Sequence, residues 1–268
     1  MSNTFKLFIA IWVLSTLALA QHQSQPAAAA KSGNPDFTTA CDVKYDNFNA
    51  QNGGSLCVTE NGNITDLSLN GLEMIGIGEG YGICDTSTGT SYFDYATQDS
   101  GNWNPATLSV KGNVVTVKRE TSDGAWKLIQ TITNILPTAS GPGSAKVSMA
   151  LKNLTGTDRV VDIMRYADLN VGSSTDFNFD FTQNTAFGLN PQGLFSGHGF
   201  SITNNTFNSA ITQTAFDEDI KFGPEPCNAG EFGAPQPFTG APGSIVMFWF
   251  YNAAHGATQT LVSTYKPI

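Results

Sequence analysis

One acidic residue interrupts an apolar, glycine-rich segment near residue 80. In the stretch MIGIGEGYGICD, residues 74–85, glycine occupies every second position from Gly76 to Gly82, and Glu79 lies among them. If the stretch is a β-strand, one face carries Glu79 beside apolar side chains and the other carries only glycine hydrogens. Such a bare face lets another strand, an aromatic ring or a ligand approach the backbone closely.

A carboxylate on an apolar strand face requires a partner. An ionised carboxylate buried alone costs on the order of several kcal/mol. In the segment VVDIMRYADL, residues 160–169, Arg165 shares a strand face with apolar side chains and has the same problem with opposite charge. We predict that Glu79 and Arg165 form a buried ion pair. The pair either fixes the packing of the core or forms the floor of a ligand site.

Two clusters of aromatic and short polar side chains could bind sugars. One follows the second face of the Arg165 segment, and the other lies in SYFDYATQDSGNW, residues 91–103. A sugar ring can stack on an aromatic ring while carboxylates and amides bind its hydroxyls, although solvated sheet faces have the same composition. The predicted ligand-binding residues are Tyr166, Asp168, Asn170, Tyr92, Asp94 and Trp103.

Motifs of high specificity are absent from the sequence. The segment GIGEGYG lacks the third glycine of a dinucleotide-binding loop because Tyr81 occupies that position, and GLFSG, residues 193–197, is not a nucleophile elbow. The cysteines contain no C-x-x-C spacing that would indicate zinc. We therefore predict no cofactor and no metal, and the catalytic residues, if any exist, stay unassigned.

The amino terminus indicates export. Lys6 precedes an apolar run, residues 7–20, that ends on small side chains, which predicts a signal peptide over residues 1–20. An uncleaved anchor is the alternative, and no membrane insertion is expected after cleavage. Residues 21–40 are rich in Gln, Ser, Pro and Ala and predict a flexible linker. Residues 41–268 contain no further spacer and predict a single domain.

Four cysteines in an exported chain favour two disulfides among three connectivities. We favour Cys41 with Cys57, which closes a local hairpin, and Cys84 with Cys227, which ties the glycine-rich segment to a later loop. Disulfides and a signal peptide together predict a secreted or periplasmic protein.

The composition is typical of an exported β protein. Only 13% of residues are charged and the net charge is −9, so the few lysines and arginines are not expected to assemble the basic surface that nucleic acid or an anionic membrane requires. Three sequons, at Asn63, Asn153 and Asn204, could carry glycans if the source is eukaryotic. The oligomeric state does not follow from these features.

The apolar pattern predicts an all-β, antiparallel sandwich. Strand signals recur from residue 74 to residue 265, including a tight hairpin at 108–118, and no helical stripe follows the signal peptide. The strands at 126–135, 145–151 and 159–171 are expected to form an antiparallel meander. So many strands must close on themselves or stack as two sheets.

The segments GNITDLSLNGLEMI, residues 62–75, KVSMALKNLTGTDRVVDIMRYADLNV and APGSIVMFWFYNAAHGATQTLVSTY resemble strands of galactose-mutarotase-like β-supersandwich domains. The resemblance implies that fold. Enzymes of the family use two histidines and a glutamate, and His198, His255 and Glu231 are the residue types available, outside any family motif. Non-catalytic domains of this shape also accompany carbohydrate-active enzymes.

We therefore predict an exported, non-catalytic module that binds carbohydrate or a cell-surface polymer. A sugar-processing enzyme, mutarotase-like or glycoside-active, is the first alternative, and it would need a carboxylate of raised pKa beside a second acid or a histidine. A structural surface protein without a small ligand is the second.

Overall fold

The computed structural model describes the protein over residues 39–49, 54–139, 141–171, 176–182, 184–191, 196–206, 213–216, 225–228 and 237–268. The predicted signal peptide and most of the predicted linker lie outside the described residues. No helix found within them is long and apolar enough to cross a membrane. The described residues are mostly strand and every strand pairing is antiparallel, which confirms the predicted fold class.

The strands are numbered in chain order. They are β1 (Val43–Asn49), β2 (Gly54–Val58), β3 (Ile64–Leu69), β4 (Leu72–Glu73), β5 (Ile75–Asp85), β6 (Thr90–Asp94), β7 (Thr107–Lys111), β8 (Val114–Glu120), β9 (Trp126–Ile135), β10 (Ser144–Asn153), β11 (Arg159–Leu169), β12 (Phe177–Phe181), β13 (Thr185–Leu189), β14 (Gly199–Asn204), β15 (Gln213–Phe216), β16 (Phe238–Ala241), β17 (Ser244–Ala253) and β18 (Thr258–Pro267).

Three sheets share these strands. The largest has nine, in the order β16-β12-β13-β14-β18-β10-β9-β8-β7. A five-stranded sheet has the order β15-β17-β11-β5-β6, and β1 to β4 form a four-stranded sheet in sequence order. Buried apolar side chains of all three belong to one hydrophobic core. The architecture is therefore a sandwich of the two larger sheets, with the four-stranded sheet packed against them.

β9 shows how alternation builds one face of the sandwich. Trp126, Leu128 and Ile132 are buried in the core, whereas the intervening Lys127 and Thr131 are partly exposed on the outer face. Burying a large apolar side chain stabilises the fold by roughly 1.5–3 kcal/mol. The period of two thus assigns one face to the core and leaves the other to solvent.

The predicted meander is wrong at its third strand. β9 and β10 pair, but β11 crosses to the five-stranded sheet and lies between β5 and β17. The partner of β10 on its other side is β18, more than one hundred residues later in the chain. In this position between β5 and β17, the inward-facing Arg165 of β11 pairs with the Glu79 carboxylate on β5, and local alternation alone does not indicate which distant strands pair.

Both disulfides join the predicted partners. Cys41 is bonded to Cys57, which links the start of the four-stranded sheet to β2, and Cys84 of β5 is bonded to Cys227. Disulfides persist in oxidising compartments, so they point to an extracytoplasmic environment.

The glycine face of β5 accommodates neighbouring groups, as its sequence predicts. A Cβ added to Gly78 would lie 2.9 Å from the Tyr166 ring, and one added to Gly82 would lie 2.6 Å from Pro226. The face is therefore filled by an aromatic ring and by the segment that carries Cys227.

All three sequon asparagines are buried and hydrogen-bonded. The side chains of Asn63 and Asn153 each donate to two backbone oxygens, and Asn204 accepts a bond from the Trp249 indole at 3.1 Å. In the folded protein these asparagines hold loops and strands in place and are not accessible for glycans.

Candidate functional site

The structure brings Glu79 and Arg165 together in the core, where both are fully buried. The Arg165 guanidinium donates to Glu79, to the Tyr265 hydroxyl at 3.0 Å and to Gln130 Oε1 at 2.8 Å. The Tyr265 hydroxyl donates in turn to Glu79 at 2.7 Å. Burial raises the pKa of Glu79, and the Arg165 guanidinium opposes that rise. Because the pair is enclosed by protein groups, its geometry favours the structural alternative.

Asp94, which the sequence analysis predicts to bind a ligand, belongs to a second buried ion pair. Asp94 is fully buried and accepts a bond from Arg119 at 2.6 Å, while Arg119 also donates to the Tyr81 hydroxyl at 3.2 Å. Burial raises the pKa of Asp94 to about 6, and the guanidinium opposes that rise. Asp94 therefore serves the core instead of an open binding surface. The alternation of β8 places Arg119 on the inward face, so the sequence could have identified it as a buried cation.

The turn between β2 and β3 connects the two pairs. The backbone oxygen of Asn61 accepts a bond from the Tyr81 hydroxyl at 3.2 Å. Asn63 donates to the backbone oxygens of Glu79 at 2.9 Å and Asp94 at 3.0 Å. The result is a continuous buried polar network that ties all three sheets together.

The aromatic residues predicted as sugar platforms are covered. Tyr166 is fully buried and packs edge-on against the Tyr95 ring, with 5.3 Å between the ring centroids, in an apolar cluster on the outer face of the five-stranded sheet. Tyr92 and Trp103 are also buried; the Tyr92 hydroxyl donates to Asp123 at 2.6 Å. The expectation of open platforms is wrong in this structure, because groups distant in sequence cover each ring.

Asp168 and Asn170 remain partly exposed near β5. A Cβ added to Gly76 would meet Asp168, and it would lie 3.1 Å from the Cβ of Asn170. Asn170 also lines an open cleft, described next. Of the six predicted ligand residues, these two are the ones that are not buried.

An open groove lies on the outer face of the four-stranded sheet. Its first part has a volume of about 540 Å³, and an adjoining part of about 520 Å³ shares three of its residues and extends to Thr97 and Asn170. We call both parts together the acidic groove. The first part is lined by Lys44, Asp46, Gly54, Ser55, Asp66, Ser68, Gly71 and Glu73.

Two carboxylates in the acidic groove have raised pKa values. Burial raises the pKa of Asp66, and hydrogen bonds from Ser55 and Ser68 oppose the rise. Burial also raises the pKa of Glu73, and the charge of Asp66 adds to it. Lys44 is paired with Asp46 at 2.9 Å. No group of three or more His, Cys, Asp or Glu side chains in the described part of the chain is arranged to hold a metal.

The groove follows from the alternation of β3, which the sequence analysis did not use. Leu67 and Leu69 face the core, while Asp66 and Ser68 face outward. Ser68 lies opposite Glu73 in the β3–β4 pair, so Asp66 and Glu73 are diagonal neighbours. The Cα atoms of diagonal neighbours lie about 7–8 Å apart.

The fold of the chain is similar to a segment of a larger solved structure. It is similar to a bacterial glucoamylase solved with acarbose, with a TM-score of 0.57 and 8% identity, over 90% of this chain and 34% of that chain. The chain thus spans about a third of the glucoamylase. At this identity the likeness shows the fold alone. No family model and no curated protein matches the chain.

Two further structures match less closely. The Slr1438 protein from Synechocystis sp. PCC 6803 has a TM-score of 0.47 and 8% identity, over 87% of this chain and 96% of that one. Heparan sulfate lyase HepC from Pedobacter heparinus has a TM-score of 0.35 and 12% identity, over 62% of this chain and 21% of that one. The predicted resemblance to galactose-mutarotase-like domains stays a prediction beside these similarities.

The histidines do not form a mutarotase-like pair. His198 directly precedes β14 and lies near the carboxyl end of β18, whereas His255 lies in the loop before β18. A strand of ten residues spans about 30 Å, so these two imidazoles cannot act on one sugar ring. Glu231 lies outside the described residues.

Proposed function

We propose that this protein is an exported, non-catalytic β-sandwich module that binds carbohydrate through the acidic groove. The observation that carries the proposal is the groove itself, an open surface lined by carboxylates, hydroxyls and one lysine. The fold shared with part of a glucoamylase and the two disulfides support it.

The chemistry of the lining matches sugar hydroxyls. The Asp66 and Glu73 carboxylates accept hydrogen bonds from hydroxyl donors, the Ser55 and Ser68 oxygens are further acceptors, and the Lys44 ammonium offers donors. Ser55 is already bonded to Asp66 and contacts Ser68 at 2.9 Å, so these groups are held in place before a ligand arrives. Preorganised groups lose less entropy on binding.

The test is a glycan-array screen of the chain from Gln21, with both disulfides intact, followed by calorimetry on the best sugar. We expect Asp66→Asn together with Glu73→Gln to weaken binding roughly tenfold or more, since hydrogen bonds to charged groups contribute about 1.5–3 kcal/mol each. Asp180→Asn, an exposed acid on β12, is the matched control and should change nothing. Silence across the array would favour a structural surface protein.

The raised pKa values favour one second candidate, a glycoside-cleaving enzyme. Glycosidases pair a protonated acid with an ionised carboxylate, and separations of about 6.5–9.5 Å accompany inversion of the anomeric centre. Asp66 and Glu73 are diagonal neighbours on one face of the sheet, and the charge of Asp66 contributes to the raised pKa of Glu73. Release of reducing ends from the bound sugar, abolished by Asp66→Asn or Glu73→Gln alone, would establish this candidate in place of the binding module.

A further inference from the structure

On one broad face of the nine-stranded sheet, almost all charged side chains are lysines. The outward side chains of β7, β8, β9, β10 and β18 form a continuous surface, because these five strands are neighbours in the sheet. We call this surface the lysine face. Its cationic side chains are Lys111, Lys118, Lys127, Lys146, Lys152 and Lys266.

The lysine face is almost free of compensating charge. Its one acidic side chain is Glu120, which pairs with Lys127 at 2.6 Å. The other five lysines are exposed, and none forms an ion pair within the part of the chain that the structure describes. A chain of net charge −9 therefore presents, on these five strands, one face that carries six lysines and a single acid. The expectation that so few cations could not assemble a basic surface is wrong, because strands distant in sequence bring them together.

The register places four of these lysines side by side in two pairs. Lys152 of β10 lies directly opposite Lys127 of β9, and Lys266 of β18 is the diagonal neighbour of Lys146. Like charges that face each other across a strand pair destabilise a sheet, and adjacent strands are only about 4.8 Å apart. Glu120 compensates Lys127 in the first pair, whereas Lys146 and Lys266 have no such partner among the described residues, so a bound anion would be stabilised between them.

Hydroxyl groups fill the space between the lysines. Thr116, Thr131 and Ser148 form one row across three adjacent strands, and Thr133 and Thr264 flank Lys146 in the next. Short hydroxyl side chains donate and accept hydrogen bonds and leave the surface free of bulky groups. The lysine face thus offers cations for acidic groups and hydroxyls for sugar hydroxyls.

Other polyanions fit this surface less well. Single-stranded nucleic acid is usually bound with aromatic rings on which bases stack, and none of the outward residues of these five strands is aromatic. None of them is arginine, whose planar fork suits phosphate. The disulfides also indicate an extracytoplasmic environment.

We propose that the lysine face binds an acidic polysaccharide, carboxylated or sulfated. This surface belongs to a different sheet from the acidic groove, and the proposal does not rest on the function proposed for that groove.

The experiment compares dextran sulfate, polygalacturonate and neutral dextran as probes of the chain from Gln21 with intact disulfides. We expect both acidic polymers to bind, neutral dextran not to bind at this face, and the affinity to fall steeply with added salt. We expect about tenfold weaker binding or more for the combined variant Lys118→Gln, Lys146→Gln, Lys152→Gln and Lys266→Gln. Fewer counterions are released from the polymer when the protein carries fewer cations.

The combined lysine-to-arginine variant at the same four positions is the matched control, because it keeps the charge and should keep binding. The variant Asp66→Asn with Glu73→Gln should also keep it, which separates this proposal from the one for the groove. Failure of the wild type to bind either acidic polymer, or equal binding by the glutamine variant, would overturn the proposal. Equal or tighter binding of double-stranded DNA or phosphatidylserine vesicles would overturn it as well.

Discussion

Arg119 and Arg165 lie in the core with their charges removed from water, whereas the lysine face holds six cations at the surface. Each buried guanidinium faces a carboxylate and a tyrosine hydroxyl, and both are joined to a turn that contacts all three sheets. A planar guanidinium can place several donors at once, while an ammonium is strongly hydrated and stays in solvent. The difference indicates that arginine charge holds this fold together and that lysine charge is available for a ligand.

The largest expected effect comes from breaking a buried pair. Arg165→Met should destabilise the protein by about 3–5 kcal/mol, because it leaves the Glu79 carboxylate buried without its partner. Urea unfolding with intact disulfides measures the change. Adding Glu79→Leu should recover part of the loss, and Lys118→Met is the surface control. A loss no larger than that of the control would contradict the structural role of the pair.

A smaller effect is expected from filling the bare face of β5. Gly78→Ala places a Cβ 2.9 Å from the Tyr166 ring, and overpacking of this kind costs about 1–3 kcal/mol. Gly156→Ala is the matched control, because a Cβ there has no neighbour within 4 Å. Equal unfolding midpoints for the two variants would show that the Tyr166 ring is not held against the strand.

Asp162 is intermediate between the buried arginine pairs and the exposed lysine face, because it is neither part of a core ion pair nor fully in water. It lies on the outer face of β11 opposite Phe250, and burial raises its pKa to about 6. A carboxyl whose folded pKa is raised destabilises the fold when it is ionised. The stability present while Asp162 is protonated is therefore lost as the pH rises through about 6.

Asp162→Asn should therefore stabilise the protein by about 1 kcal/mol at pH well above 6 and leave it unchanged in acid, the value being reduced for partial solvation. Thermal unfolding across pH measures the difference. Asp180→Asn, at an exposed position on β12, is the control substitution. A constant difference between wild type and Asp162→Asn at all pH values would contradict the assignment.

The smallest expected effect belongs to the lysine face. The combined change of Lys118, Lys146, Lys152 and Lys266 to glutamine should alter the free energy of unfolding by less than about 0.5 kcal/mol per site, and relief of repulsion makes a slight stabilisation the expected sign. Urea unfolding beside the Arg165→Met variant gives the comparison directly. A large loss of stability would mean that these lysines serve the fold.

Local alternation and charge balance predicted much of the fold from the sequence. The strands around Trp126 and Leu108 follow from period-two patterning and turn residues, and the partnership of Glu79 with Arg165 follows because each needs the other to be buried. Both arguments use short-range information, since they ask only which face of a strand must avoid water.

The remainder depends on pairings between distant segments. β10 pairs with β18, which assembles the lysine face, and nothing near Lys146 in sequence indicates Lys266. The alternation of β11 places Tyr166 on the face that would normally be solvated. Tyr95 and the apolar cluster on the outer face of the five-stranded sheet cover it. Composition averages such features away, so net charge concealed the basic surface, and the local pattern did not reveal that Tyr166 is buried.

The most direct test is one binding experiment with three proteins: the wild type, the Asp66→Asn/Glu73→Gln variant and the four-lysine glutamine variant. Each is titrated with the best neutral sugar from the array and with dextran sulfate. The account predicts that the groove variant loses the neutral sugar and keeps dextran sulfate, and that the lysine variant does the reverse. Two results would contradict the account of two separate binding surfaces. One is a folded variant that loses both ligands, and the other is that both variants keep both ligands.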